Sequence, residues 1–170
     1  MDLSKLTTSD KVIAGGGIVL FIAQFLPWFK ISFGGDFGFG GASATGNGFD
    51  VGFLWGTFPM LLGLLMLAQV AVTVFAPDTK LPDMPATWGQ IHLGAGSLAA
   101  VLVVLKLLIG ESDDGIPGVD VTRQFGLFLA VLAALALAGG GFLKFQEEKA
   151  GGGAAGGGPA EPGSTPPQPF

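Results

Sequence analysis

GLFLAVLAALALAGGGF, residues 126–142, decides what kind of chain this is. The stretch carries no charge, yet Gly126, Ala130, Ala134 and Ala138 place the smallest side chains at every fourth position. Residues four apart share one face of a helix. The pattern therefore predicts a helix with a smooth groove about three turns long, while Leu127, Leu129, Leu132 and Leu135 project elsewhere. In water, large apolar side chains drive helices together. In lipid that force is nearly absent, and small residues that let backbones approach take its place. The stripe reads as the packing face of a membrane helix.

The rest of the chain fits that solvent. Of 170 residues, 49% are hydrophobic and 12% charged, about half the charged fraction of a soluble domain. The charges lie between and beyond four apolar stretches, at about 12–29, 53–75, 91–109 and 125–145. Each is close to the roughly 20 residues a helix needs to cross about 30 Å of hydrocarbon. The apolar residues run continuously instead of alternating, which argues against strands. The first stretch has no small-x-small cleavage site directly after it and reads as a retained helix, not a signal peptide. Trp28, Trp55 and Trp88 fall at span boundaries, where an amphipathic ring prefers to sit. Pro59, lacking an N–H, can kink the start of span two. The expected fold class is all-α: a membrane four-helix bundle with short loops, residues 1–149, followed by a disordered Gly/Pro-rich tail, 150–170.

Four spans put both termini on one side. Lys5, Lys11, Lys80, Lys144 and Lys149 lie there; Lys30, Arg123 and an outward-reaching Lys106 lie on the other. The excess of Lys predicts cytoplasmic termini. The first outward loop, KISFGGDFGFGGASATGNGFDV, admits two readings: a short glycine-rich hairpin on the membrane, or a flexible loop dipping Phe33, Phe37 and Phe39 into the interface. TGNGF favours a tight turn. The second, ESDDGIPGVDVTRQ, reads as a solvated acidic loop, because it lacks the alternating ligand spacing of a calcium loop. The Pro166–Pro169 spacing in the tail reads as plain linker.

Catalytic chemistry finds little purchase. No cysteine is present, so thiolate metal sites and disulfides are excluded. His92 is the only histidine and has no companion ligand near it in sequence; it reads as an interfacial residue bonded to backbone or water. The glycine runs do not end in the Gly-Lys-Ser/Thr of a phosphate loop. No enzyme activity, cofactor, metal or nucleic-acid partner is expected. The intramembrane polar residues are Gln24, Gln69 and Lys106. The glutamines read as helix–helix glue, and Lys106 as a side chain that snorkels outward toward Glu111. Packing partners for the stripe are Gly96 with Ala100, Ala95 with Ala99, and Gly15–Gly17. The stripe suits packing within one bundle or a seam for a second copy or another membrane protein.

LTTSDKVIAGGGIVLFIAQFLPWFKISF (6–33), FGLFLAVLAALAL (125–137) and GGFLKFQEE (140–148) together resemble the small four-span membrane proteins of actinobacteria that end in a Gly/Pro-rich tail. LPWFKI (26–31) and GFLW (52–55) give a fainter likeness to claudin-type tetraspans, whose outer loop carries paired cysteines that this chain lacks. Neither likeness supplies a catalytic residue. The expected function is a non-catalytic membrane component, structural or partner-binding, with the lipid bilayer as its first partner. The alternative is a subunit of a small oligomeric channel or transporter.

Overall fold

The computed structural model describes residues 6–34, 41–76, 79, 86–111 and 117–154. Helix α1 (Thr8–Ala23) opens on a reciprocal cap. Thr7 Oγ1 accepts from the Asp10 N–H at 3.2 Å, and the Asp10 carboxylate accepts from the Thr7 N–H at 3.3 Å. These bonds satisfy donors a helix start leaves orphaned. The helix stops at Ala23 because Pro27 follows: its ring disfavours helix at Leu26, and it offers no N–H. The chain turns and runs extended as β1 (Pro27–Phe33).

The expected first span, 12–29, is therefore corrected. It is a helix that starts earlier and ends sooner, joined to a strand. The all-α expectation is corrected with it. The protein is mostly helical, but β1 pairs antiparallel with both β2 (Ser43–Asn47) and β3 (Val119–Arg123) in a three-stranded sheet of order β2-β1-β3. Ile31 stands opposite Ala44 on one side and Val121 on the other. Trp28, Phe29 and Ile31 suit a strand as well as an apolar span, so continuous hydropathy conceals the change.

A hairpin does form in the first loop, between β1 and β2. The tight turn at TGNGF lies after it, leading from β2 toward the next helix. Asn47 Oδ1 accepts from the Phe49 N–H at 2.9 Å, and Asp50 Oδ2 accepts from the Asn47 N–H at 2.7 Å. Phe37, Phe39, Lys80, Asp113 and Asp114 lie outside the described residues, as does the tail from 155.

A π-helical turn, Phe53–Thr57, leads into α2 (Phe58–Phe75). Pro59 cannot bond back to Trp55, and the Phe58 N–H reaches Phe53 O instead. Pro59 thus sits in the first turn of α2, where a missing N–H is tolerated. Helix α3 (Trp88–Ile109) starts on a second reciprocal cap, between Thr87 and Gln90, and ends at Gly110, whose φ of 74° suits glycine alone among common residues. Helix α4 (Phe125–Ala154) runs past 145, so the expected tail begins as helix. Among the described residues, three segments are long and apolar enough to cross a membrane: Phe53–Phe75, Trp88–Ile109 and Phe125–Gly151. The expected count was four.

α4 packs between α1 and α3 and barely touches α2, which closes the bundle against α1 and α3. Gly16 faces Ala133 and Gly140 faces Ile13, so α1 and α4 run antiparallel; Gly17 against Gly63, with Gln24 at the end of α1 reaching Gly56 before α2, makes α1 antiparallel to α2. The start of α1 and the end of α4 share one end of the bundle, the terminal end, and the sheet lies at the other. Trp28 is not a boundary ring. It is fully buried, and its Nε1 donates to Ala23 O at 2.8 Å, closing the turn after α1.

Candidate functional site: the α4 seam and its two ends

The small-residue stripe lies inside the bundle. Ala130 and Ala134 are fully buried, Gly126 is buried and Ala138 half-buried. The start of β1 rests on one end of the stripe and α3 on the other, at Ala138, while α1 lies beside it against Ala133, Leu137 and Gly140. A Cβ on Gly126 would come within 2.6 Å of Pro27 O. One on Gly96 would come within 2.6 Å of Leu137 O, and one on Gly141 within 2.5 Å of His92 O. At these points backbone rests on backbone. Ala100, one turn beyond Gly96, is buried as well. Leu127 and Leu137, which lie off the stripe, are fully buried too. Two flanking helices bury a wider arc of α4 than one groove would. The outer arc carries Leu132, 65% exposed.

The three intramembrane polar candidates, Gln24, Gln69 and Lys106, are all buried. Gln24 is fully buried at the sheet end; its Nε2 donates to Gly56 O at 3.2 Å, and its backbone O accepts from the Gly48 N–H at 3.0 Å. It ties the end of α1 to the turn before α2. Gln69 is buried on α2, and neither glutamine Oε1 has a hydrogen-bond partner among the described residues. Lys106 is buried along its stem. Its Nζ stands 2.5 Å from Glu111 Oε1 and 5.4 Å from the Phe29 ring centroid, so strand β1 covers the side chain that the loop carboxylate neutralises.

The terminal end holds a polar clasp. Lys144 Nζ lies 2.5 Å from Asp10 Oδ1, joining α4 to α1. Ser9 Oγ donates to Glu147 Oε2 at 2.7 Å and shares a 2.8 Å bond with Thr7 Oγ1. Glu148 Oε1 accepts from the Gly89 N–H at 2.8 Å, placing a carboxylate at the positive start of α3. Burial pushes the Asp10 carboxyl up, but Lys144 and Thr7 outweigh it and hold it below its ordinary 3.8. His92 is buried between these groups with its ring 6.4 Å from Trp88, and neither ring nitrogen has a hydrogen-bond partner among the described residues. The expected bond to backbone does not form among the described residues.

The clasp was not foreseen. The caps at its base were legible, since TTSD and TWGQ both place a side-chain acceptor three residues ahead of a second polar group. Their partners on α4 were not, because Asp10 and Lys144 stand 134 residues apart. Among the described residues no three His, Asp or Glu side chains come close enough to hold a metal ion. What the arrangement does is mechanical: the extension of α4 pins the first turns of α1 and α3.

Fold and seam together define a mostly helical protein with a small sheet and three helices of membrane-crossing length. Set against known proteins, the chain matches no family model, no curated protein and no solved structure. The likenesses to four-span actinobacterial proteins and to claudins rest on the quoted residues alone.

Proposed function

We propose that this chain is a non-catalytic integral membrane protein of the bacterial plasma membrane, structural or partner-binding, with both termini in the cytoplasm. One observation carries the reading: the outward faces of the helices are as apolar as the interior. Leu108 is 68% exposed, Leu132 65% and Phe125 70%, while the seam between the helices is lined by small residues such as the fully buried Ala130 and Ala134. A soluble bundle turns polar side chains outward; lipid accepts an apolar surface and rewards close backbone contact inside. In this reading α1 is a short fourth crossing helix, because it packs antiparallel in the same bundle. Gln24 and Lys106 serve the bundle itself, which favours a structural role over permeation.

The absence of cysteine makes the test clean. Ser43→Cys at the sheet end and Ala150→Cys at the terminal end are expressed separately. The protein should resist extraction by alkaline carbonate, and an impermeant maleimide should label only Ser43→Cys in intact cells. Release by carbonate, or labelling of Ala150→Cys from outside, would overturn the reading. Self-association is tested by the mass of the detergent-solubilised protein with and without residues 151–170.

A further inference from the structure

α1 has 16 residues, which rise about 24 Å, about 6 Å less than the hydrocarbon layer. Its first turn is also polar, with Ser9 and Asp10 committed to the clasp. Yet the apolar surface continues where the helix stops. Phe25, in the turn after α1, is 60% exposed; Phe53, in the π-helical turn, is 63% exposed; Phe49, in the turn after β2, is exposed too. The rings join edge to face: Phe21 to Phe25 with centroids 5.3 Å apart, and Phe25 to Phe49 at 5.4 Å. The end of α1 and the turn after β2 thus bring aromatic rings to one patch beyond the end of α1, next in sequence to the exposed Ile22, and Phe53, its ring centroid 6.1 Å from that of Phe58, adds an exposed ring at the same end of the bundle.

The charges mark its limits. Within 48–58 the only charged residue is Asp50, exposed and bonded to the Asn47 N–H on the β2 side. The polar side chains Ser43, Thr45, Asp120 and Thr122 sit on the edge strands. The strand that follows α1 is β1, paired on both sides. Its main-chain donors and acceptors are therefore engaged, which backbone near lipid requires.

We propose that the collar of Phe21, Phe25, Phe49 and Phe53 is a lipid-docking surface. Its rings enter the boundary between headgroups and acyl chains of the leaflet on the sheet side. The root of the sheet, sunk into that leaflet, makes up the length α1 lacks. The inference rests on the membrane-spanning reading above and specifies how α1 meets that membrane.

The test is spin-label depth in vesicles of phosphatidylcholine and phosphatidylglycerol. Single variants Phe25→Cys and Phe49→Cys are compared with Leu65→Cys, exposed on α2, and Thr45→Cys, exposed on β2. The ratio of oxygen to nickel-chelate accessibility at Phe25 and Phe49 should exceed that at Thr45 by about threefold or more, approaching the value at Leu65. Phe49 and Phe25 matching Thr45, with Leu65 still lipid-exposed, would overturn the collar and leave the spanning reading intact. Leu65 matching Thr45 would sink both. Spin–spin broadening at Phe25 or Phe49 that disappears on dilution with unlabelled protein would assign the patch to a second copy and overturn lipid docking.

Discussion

The middle of α4 and its last turns hold the same neighbours by opposite means. At Gly96 and Gly141 the helices touch because side chains are missing: backbone meets backbone, and no polar side chain takes part. At Lys144, Glu147 and Glu148 they touch because side chains reach out, through one ion pair and two hydrogen bonds. The seam depends on shape and the clasp on charge. Shape is indifferent to pH and unforgiving of volume; charge tolerates volume and responds to protons.

That contrast can be broken in order of expected effect. Gly96→Leu drives a side chain into Leu137 and Ala138 backbone that cannot yield; unfolding in mixed micelles should show a loss above about 4 kcal/mol, or no folded protein. Lys144→Met leaves Asp10 largely buried without its cation, at a cost of about 3 kcal/mol, and Asp10→Asn in the same chain should recover most of it. Ala134→Leu overpacks the seam by about 2 kcal/mol, whereas Ala substituted for the exposed Leu132 should stay within about 0.5 kcal/mol. A large loss at Leu132 would mean that the outer arc is covered by protein.

The smallest effect is that of acid. The Asp10 carboxyl is lowered in the folded state, so it adds stability above its ordinary pKa and loses it as pH falls through the folded value. Wild type should therefore lose stability below about pH 4 relative to Asp10→Asn, and Ala134→Leu should follow the wild-type profile. A seam variant with an altered profile would erase the distinction between the two regions.

Sequence pattern reached the seam and not the clasp for a physical reason. Gly126, Ala130, Ala134 and Ala138 lie on one helix, and a period of four is a local property. The burial of α4 by two helices instead of one is not local, which is why the burial of Leu127 was not foreseen. Helices α2 to α4 were legible because a helix long and apolar enough to cross a membrane is one continuous apolar run. The first span was misread because Phe25, Leu26, Trp28 and Phe29 are as apolar as a span. What makes Trp28 and Phe29 part of a strand is Pro27 and pairing with Val119–Arg123, more than half the chain away. The clasp and the sheet are both products of closure between distant segments.

The contact between α1 and α4 also has a consequence for biosynthesis. Of the described helices, α1 is made before the others and finds its larger neighbour in α4, made after them. In the membrane reading proposed above, until α4 is inserted the Gly16 face of α1 has only lipid or α2 to rest on. Chains truncated before residue 125 should therefore remain open intermediates, attractive to insertases and membrane proteases, and closure should follow insertion of α4.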